Sequence, residues 1–294
     1  MHFHRLIPTR FGHFALNCLR GLKRIVLGRH TEALLIRSRN GLLLVDVADQ
    51  NVGRHLAYEG EYGGLEIERL RACLSANDNL LIVGAHIGAI AIPISRYCRS
   101  VTAIEANPRT FQLLQMNISI NRRENIRTIQ IAASDKPEEL EFLANTLNSG
   151  GSKRMPVVRD PIYFLDSPEV TKVRAECLDN ILKGKRFEVI FMDIEGSEYF
   201  ALRGMGEILS HAEWLFVEFV PHHLRNVSNV TVEEFVRPIK PHFTSFFVPS
   251  RKFTGSIDRC CDTLQAMYER DQSEDGVIFS KSGSFPENFL AVQD

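Results

Sequence analysis

The chain has 294 residues, of which 44% are hydrophobic and 24% are charged, so it can bury a sizeable core without disulfides or metals. This composition excludes a disordered chain, a fibrous protein and a miniprotein. The 35 basic and 36 acidic residues leave a net charge of -1. A nucleic-acid partner is therefore disfavoured, because no overall positive charge attracts a phosphate backbone.

The cysteines and the longest uncharged stretch bear on the protein's location. The six cysteines include no Cys-x-x-Cys pair, a pattern that predicts reduced thiols in a cytoplasmic protein and disfavours a zinc site or disulfide framework. Residues 79–95 carry no charge, but they fall short of the roughly 20 residues that a membrane helix needs. We therefore expect no transmembrane segment.

The first 30 residues contain six basic residues and no acidic one, with apolar residues at helical spacing from Phe11 to Val26. This pattern predicts a basic amphipathic helix in an N-terminal extension, residues 1–32. One interpretation is a helix packed on the main domain with its basic face in solvent. The alternative is weak contact with an anionic membrane surface or with a partner.

Residues 33–294 are predicted to form one domain, in which 33–75 precede the core as a hairpin and a helix. Apolar strands then alternate with helices, which indicates a parallel sheet covered on both faces. The predicted strands are 80–83, 101–105, 127–132, 187–193, 214–219, 243–248 and 277–280. The predicted helices are 87–99, 108–121, 197–209, 232–239 and 257–268. Residues 145–160 interrupt the alternation with glycines and prolines and are predicted to be a mobile loop, a candidate lid.

The first of these strands ends in a glycine-rich turn, Gly84-Ala85-His86-Ile87-Gly88. Glycine lets the backbone approach a ligand closely, and the helix that follows begins with unpaired N–H groups. The two glycines are spaced G-x-x-x-G, which is not the G-x-G-x-x-G fingerprint of dinucleotide-binding proteins. A nicotinamide oxidoreductase is therefore disfavoured.

The second strand ends in Glu105, followed by Ala106 and Asn107. An acid at this strand end, about twenty residues after a glycine turn, is well placed to accept hydrogen bonds from ribose hydroxyls. The alternative is a negative charge that stabilises the start of the helix at Pro108. The turn and the acid together predict an adenosine site.

A later strand ends in Asp193, followed by Glu195 and Glu198. Carboxylates that open to the same crevice can position a cationic cofactor, orient a substrate hydroxyl or hold a divalent cation. The alternative for Glu195 and Glu198 is a first-turn charge on the following helix.

The ordered set of these motifs resembles the FkbM family of S-adenosyl-L-methionine-dependent methyltransferases, over roughly residues 40–225. The resemblance rests on the glycine turn, the end of the Glu105 strand, and residues 117–121, 132–135 and 193–198. It implies a Rossmann-like seven-stranded methyltransferase sheet, mostly parallel with an antiparallel last strand, and helices on both faces. It also implies O-methylation of a hydroxyl on a sugar, polyketide or other small metabolite.

The resemblance further implies which residues bind the cofactor. The glycine turn would face its methionine part, Glu105 with Ala106 and Asn107 its ribose, and Ala133 and Ser134 its adenine. Asp193 would lie beside the methionine amine and the reacting methyl group.

Two positions depart from the family pattern. Ile82 stands where an acid is usual, and His86 stands where an asparagine is usual. These departures motivate a second class of function, a noncatalytic nucleoside-binding or scaffold protein with a degenerate cofactor site.

Methylation of a hydroxyl requires a group that takes up its proton. The candidates are Asp193, Glu195, His86 and the adjacent pair His222 and His223. A magnesium ion held at the ends of these strands is a less favoured alternative, because no tight ligand spacing supports it, and we predict no metal. The edge of the leading hairpin makes a homodimer a further expectation.

Overall fold

The computed structural model describes residues 26–287 and residue 289, so residues 1–25 of the predicted basic extension lie outside the described residues. The strands are β1 Ala33–Ser38, β2 Gly41–Asp46, β3 Asn79–Val83, β4 Ser100–Glu105, β5 Ile126–Gln130, β6 Ala132–Ala133, β7 Glu138–Ala144, β8 Lys153–Arg154, β9 Glu169–Glu176, β10 Val189–Met192, β11 Trp214–Phe219, β12 Ser245–Val248, β13 Phe253–Ser256 and β14 Glu274–Ser280.

Helices connect most of these strands. They are α1 Val52–Tyr58, α2 Gly64–Cys73, α3 Ala91–Ile94, α4 Pro108–Ile120, α5 Leu178–Ile181, α6 Glu198–Arg203, α7 Gly206–His211, α8 Pro221–His223, α9 Val232–Val236 and α10 Cys260–Glu269. Within the described part of the chain, no helix combines the length and the apolar character that crossing a membrane requires.

The main sheet has the strand order β13-β12-β14-β11-β10-β3-β4-β5. The five strands from β11 to β5 are parallel, and β14 lies antiparallel to β11. The predicted parallel sheet with an antiparallel last strand is confirmed. It has eight strands rather than seven, because β13 pairs with the outer side of β12. The sequence does not predict β13, because this short strand contains Gly255, a residue that is unusual inside strands. The backbone of Gly255 packs against the ring of Phe246.

The two faces of this sheet carry separate hydrophobic cores, because successive residues of a strand point to opposite faces. In β3, Leu81 and Val83 belong to one core, and Leu80 and Ile82 belong to the other. Residues of α6 and α10 complete the first core, and residues of α2 and α4 complete the second. The prediction of helices on both faces is therefore confirmed.

The leading hairpin, β1 and β2, is held against α4 by two asparagines. Asn117 pairs with the backbone N–H and C=O of Leu44 at 2.6 and 3.0 Å, and Asn121 pairs in the same way with Leu42 at 3.1 and 2.7 Å. Four helical residues rise by about 6 Å and two strand residues by nearly the same distance. The two side chains therefore act as a short extra strand beside β2.

A second sheet, in the order β6-β9-β7-β8, was not predicted. In β7, the exposed Glu139 and Glu141 alternate with the buried Leu140 and Phe142, and Lys172 of β9 pairs with Glu139 at 2.7 Å. The predicted loop 145–160 is not irregular throughout, since it contains the 3-10 turn Ser149–Gly151 and strand β8. The predicted strand 127–132 ends at Gln130, and its last residues cross into this second sheet.

Three predicted helices differ in extent, and the one predicted at 232–239 ends early, at Val236. The helix predicted at 87–99 begins only at Ala91, after Gly88 with its φ of 90°, and it ends in a 3-10 turn, Ser95–Tyr97. The helix predicted at 197–209 is divided into α6 and α7 at Gly204. The backbone of Ser134 packs there so closely that a Cβ on Gly204 would lie 2.0 Å from its carbonyl oxygen.

Gly84→Ala is expected to destabilise the fold strongly. A Cβ at this position would lie 1.9 Å from the carbonyl oxygen of Asp193, and the φ of 92° already disfavours alanine. We expect a loss of at least about 3 kcal/mol in the free energy of unfolding, measured by urea denaturation.

Gly60→Ala is the matched control. Gly60 also has a positive φ, 76°, but no atom of the described residues lies within 4 Å of the place that a Cβ would take. The substitution should cost only about 1 kcal/mol, from backbone strain alone. Equal losses in the two variants would contradict the assignment of the effect to the close approach of β3 and β10.

Candidate active site

The carboxyl ends of β3, β4 and β10 open on one cleft, as expected for parallel strands that end at the same edge of a sheet. The second sheet and the turn Ser149–Gly151 form its other wall. The predicted site residues that line the cleft are Gly84, His86, Glu105, Ala106, Ala133, Asp193 and Glu195. The predicted residues that do not line it are Ala85, Gly88, Asn107, Ser134, His222 and His223.

The glycine turn is shaped by the strand beside it. The N–H groups of Gly84 and Ala85 both donate to the carbonyl oxygen of Ile104 on β4, at 3.0 and 2.9 Å. His86 has a φ of 50°, a left-handed conformation in which asparagine, aspartate and histidine are enriched. The replacement of the family's asparagine by histidine is therefore compatible with the backbone of this turn.

Glu105 is buried at the end of β4 and binds both neighbouring segments. Its Oε2 accepts the backbone N–H of His86 at 2.7 Å, and its Oε1 accepts the N–H of Asn107 at 2.8 Å and the hydroxyl of Thr110 at 3.0 Å. The carboxylate thus fixes the glycine turn and also supports the start of α4. A carboxylate oxygen has two lone pairs, so Oε2 retains the capacity to accept a ligand hydroxyl.

A buried chain of polar groups, which the sequence did not indicate, joins the turn Ser149–Gly151 to the glycine turn. Asp49 accepts the backbone N–H groups of Asn51, Gly53 and Ser149 at 2.8, 3.0 and 3.1 Å, and it also accepts the hydroxyl of Ser149. His86 Nε2 lies 2.7 Å from the same hydroxyl oxygen. Because that hydroxyl donates to Asp49, the imidazole Nε2–H is the donor to Ser149.

The charge state of His86 follows from its surroundings. Desolvation lowers the pKa of His86 below its usual value, against the opposing effects of the carboxylates of Asp49, Glu105 and Glu195. The imidazole is therefore neutral at neutral pH, with its proton on Nε2. This state leaves Nδ1 with an acceptor lone pair.

A second buried cluster lies behind Glu195. Lys153 Nζ is 3.1 Å from Glu195 Oε2 and 3.0 Å from His223 Nε2. An ammonium group can only donate, so His223 Nε2 accepts, and its proton lies on Nδ1, 3.8 Å from Glu218 Oε2. His223 thus does not line the cleft, but it contacts Lys153, which in turn contacts Glu195 in the cleft lining. Lys153 was missed because no sequence motif marks a lysine in the segment 145–160.

Glu198 organises the turn that carries Asp193 and Glu195. Its two carboxylate oxygens accept the backbone N–H groups of Ile194 and Gly196 at 2.8 and 2.9 Å. This turn is tight, since Glu195 and Gly196 have φ values of 58° and 97°. Burial raises the pKa of Glu198 to about 7. Glu198 is therefore a turn-stabilising residue, which agrees with the structural alternative considered from the sequence.

The carboxylates of this edge lie close enough to share a cation. Among the described residues there are two groups of three side chains in which each residue offers one ligand atom and these atoms all lie within 4.8 Å of one another. One group is Glu195, Glu218 and His223, and the other is Asp193, Glu198 and Glu218.

His222 lies away from the cleft, with its ring stacked on that of Tyr163 at 6.1 Å between centroids. A direct role for His222 at the cleft is thus not supported by its position.

Glu198→Gln is expected to change how stability depends on pH. The folded-state pKa of about 7 lies above the usual value of 4.5, so the folded protein binds this proton more tightly and loses stability as pH rises from about 4.5 to 7. Glutamine does not titrate, so the variant does not lose this stability. As pH rises from 5 to 8, the difference in the free energy of unfolding between the variant and the wild type should therefore shift by roughly 2 kcal/mol in favour of the variant. Urea denaturation at several pH values measures this difference.

The variant carries an offset at every pH, because an amide NH2 cannot accept one of the two backbone N–H groups. Replacement of the exposed Glu269 by glutamine is the control for the loss of a surface carboxylate. A gap between Glu198→Gln and the wild type that stays constant with pH would contradict the raised pKa of Glu198.

Comparison with known proteins identifies the family. The model of the methyltransferase FkbM domain matches residues 83–240, which is more than half of the 294 residues. A tRNA(Phe) (4-demethylwyosine(37)-C(7)) aminocarboxypropyltransferase of Methanocaldococcus jannaschii is 35% identical over 92 residues, which are 30% of this chain and 36% of that protein. The chain thus spans about a third of the length of this curated relative.

Solved structures give weaker similarities. The methyltransferase FkbM of Methylobacillus flagellatus is 18% identical, with a TM-score of 0.39 over 74% of this chain and 49% of that chain. An rRNA methylase of Streptococcus thermophilus is 11% identical, with a TM-score of 0.43 over 74% of this chain and 94% of that chain. The family match contains the glycine turn, Glu105 and the turn of Asp193 and Glu195. On this match, the chain belongs to the FkbM methyltransferase family.

Proposed function

We propose that the protein is an S-adenosyl-L-methionine-dependent methyltransferase that methylates a hydroxyl oxygen of a small metabolite, such as a sugar or polyketide. The observation that carries the proposal is the position of Glu105 beside the glycine turn, with Asp193 and Glu195 lining the same cleft. The tRNA-modifying activity of the curated relative does not favour a nucleic-acid acceptor here, since the chain carries a net charge of -1.

The residues of the cleft fit this cofactor. The lining includes the carboxylates of Glu105, Asp193 and Glu195, which suit a cofactor with a positively charged sulfur. It also includes the apolar side chains of Leu140 and Phe142, which suit a flat purine ring. When bound, the cofactor would supply a methyl group on an electron-poor sulfur, open to attack by an oxygen nucleophile.

The chain's own residues would align the acceptor and receive its proton. Asp193 and Glu195 line the cleft, whereas His223 is buried behind Glu195. We assign the base role to Glu195 and a positioning role to His223 and Lys153, which hold its carboxylate. Asp193 is assigned to the cofactor amine. Exclusion of water by the wall formed from residues 145–154 would favour the in-line attack.

The segment 145–160 is proposed to act as a lid. Ser149, Gly150 and Ser152 line the cleft, and the hydrogen bonds of Ser149 to Asp49 and His86 hold the segment closed. Opening must also break the hydrogen bonds that join Leu147, Asn148 and Ser152 to other segments, so exchange of cofactor would require a concerted movement of the segment.

The setting of the reaction is proposed to be cytoplasmic, with an N-terminal basic helix that makes at most weak membrane contact and with a homodimer as the assembly. The cysteines that the structure describes are free thiols, in agreement with a reducing compartment. Burial raises the pKa of Cys98 to about 11 and that of Cys260 to about 12, which keeps both thiols protonated and unreactive.

Glu105→Gln is expected to weaken binding of S-adenosylhomocysteine by about 10- to 100-fold, measured by isothermal titration calorimetry. Charged acceptors contribute more to a hydrogen bond than neutral ones, and the amide offers one acceptor oxygen instead of two. Thr110→Val is the matched control, because it removes the hydroxyl that donates to Glu105 Oε1 without altering a cleft residue. It should change affinity by less than about 3-fold.

Three results would contradict the proposal at different levels. Equal binding by Glu105→Gln and the wild type would assign Glu105 to the glycine turn and the start of α4 alone. The absence of wild-type binding at millimolar ligand would reject the cofactor. Binding of the cofactor without turnover in a broad acceptor screen would favour the noncatalytic nucleoside-binding alternative.

Glu195→Gln tests the proposed base. A mass-spectrometric screen of sugars and polyketides for a methyl gain would identify an acceptor, and kcat for that acceptor is expected to fall by about 100-fold or more in the variant. The rate of Glu195→Gln should continue to rise with pH, because hydroxide replaces the missing base. Asp193→Asn should instead raise the KM for the cofactor, as expected for a residue that binds its amine.

The exposed Glu207→Gln serves as the acid-to-amide control, with kcat equal to that of the wild type. A Glu195→Gln variant with the wild-type kcat and pH profile would transfer the base role to another group.

A further inference from the structure

Arg154 lines the wall of the cleft that the second sheet forms, and it was not among the residues that the sequence indicated. It follows Lys153 in β8 and pairs with Phe142 of β7 in the second sheet. Cross-strand partners lie on the same face of a sheet, and both residues line the cleft together with Leu140 and Ala133. A cationic side chain thus lies beside apolar side chains in this wall.

The guanidinium group is held on two sides. Its central carbon lies 3.7 Å from the centroid of the Phe200 ring, and Nη2 lies 3.8 Å from Glu138 Oε1. Glu138 is fixed in turn by the hydroxyl of Ser134, which donates to the same oxygen at 3.1 Å. Ser134 therefore supports Arg154 through Glu138 and does not itself line the cleft.

One donor of this group is unsatisfied. Nη1 of Arg154 is buried and has no hydrogen-bond partner among residues 26–287 and 289. The whole side chain is only 14% exposed. A buried donor without an acceptor costs free energy, which is recovered when a ligand supplies one. Buried unsatisfied groups are rare in folded proteins and call for a specific explanation.

The charges around Arg154 narrow the chemistry of that acceptor. The carboxylates of Glu138 and Asp135 already interact with the positive charge of Arg154, so the acceptor on the ligand does not have to be negatively charged. What remains is an N–H donor beside apolar walls. A neutral acceptor on a flat ring, such as an aromatic ring nitrogen, meets both conditions.

We propose that Arg154 is a cofactor-binding residue that donates a hydrogen bond through its guanidinium to a ring nitrogen of adenine. The inference rests on the proposed S-adenosyl-L-methionine site and adds to it a side chain that reads the base. N1, N3 and N7 are the ring nitrogens that can accept. Phe200 would hold the guanidinium in a fixed plane, and Glu138 would hold its orientation through Nη2.

The test compares S-adenosylhomocysteine with its 1-deaza, 3-deaza and 7-deaza analogues, in each of which one ring nitrogen is replaced by carbon. Wild-type protein is expected to bind one of the three about 10-fold more weakly than the parent compound, by isothermal titration calorimetry. Arg154→Met should bind the parent about 10-fold more weakly and should no longer distinguish that analogue. This loss of discrimination separates a direct hydrogen bond from a structural effect.

Arg159→Met is the matched control. Arg159 lies in the same segment and forms an ion pair with Glu141 at 3.7 Å, but its side chain is exposed, and it does not line the cleft. It should bind all four compounds as the wild type does. Arg154→Leu is a second variant without a hydrogen-bond donor, and it replaces Arg154→Met if that variant is unstable in thermal melts. It too should lose the discrimination.

The outcomes separate the two levels of the proposal. Wild-type protein that binds S-adenosylhomocysteine and all three deaza analogues equally overturns the role of Arg154 and leaves the cofactor assignment intact. Discrimination that persists in Arg154→Met or in its replacement variant Arg154→Leu also overturns it, because another group must then contact the ring nitrogen. No binding of the parent compound by the wild type rejects the cofactor, and the inference with it.

Discussion

The site depends on the close approach of β3 and β10, where the backbone of Gly84 contacts the carbonyl group of Asp193. This contact brings the end of β3 against the end of β10, so that the glycine turn and the acidic turn line the same cleft. A side chain at position 84 would separate the two strand ends. The glycine is therefore required first by strand packing, and any approach of a ligand to the turn follows from that geometry.

Buried carboxylates then fix the turns around this contact. Glu105 holds the glycine turn, Glu198 holds the turn of Asp193 and Glu195, and Asp49 holds the turn Ser149–Gly151, in each case by accepting backbone N–H groups. Such hydrogen bonds are stronger than those between neutral groups. Asp49 and Glu198 thus organise the backbone without lining the cleft, whereas Glu105 organises the backbone and also lines the cleft.

The sequence predicted what is local and left out what depends on contacts between distant segments. The apolar run of β3 and the acid at the end of β4 are readable because period and position along the chain reveal them. Asp49, Lys153 and Arg154 reach the site only through the fold, since no motif links residues 49 and 153 to the strand ends. The second sheet was missed because the predicted strands were the continuous apolar runs of a parallel sheet, whereas β7 and β9 alternate charged and apolar residues, the pattern of strands with one face in solvent.

Strand β8 has only two residues, yet both of them contact groups of the proposed cofactor site. Successive residues of a strand point to opposite faces, so Lys153 reaches Glu195 and His223 while Arg154 lies in the cleft wall against Phe200. The proposed adenine contact of Arg154 and the position of the proposed base Glu195 thus depend on two adjacent residues of one strand, both placed by the pairing of β8 with β7.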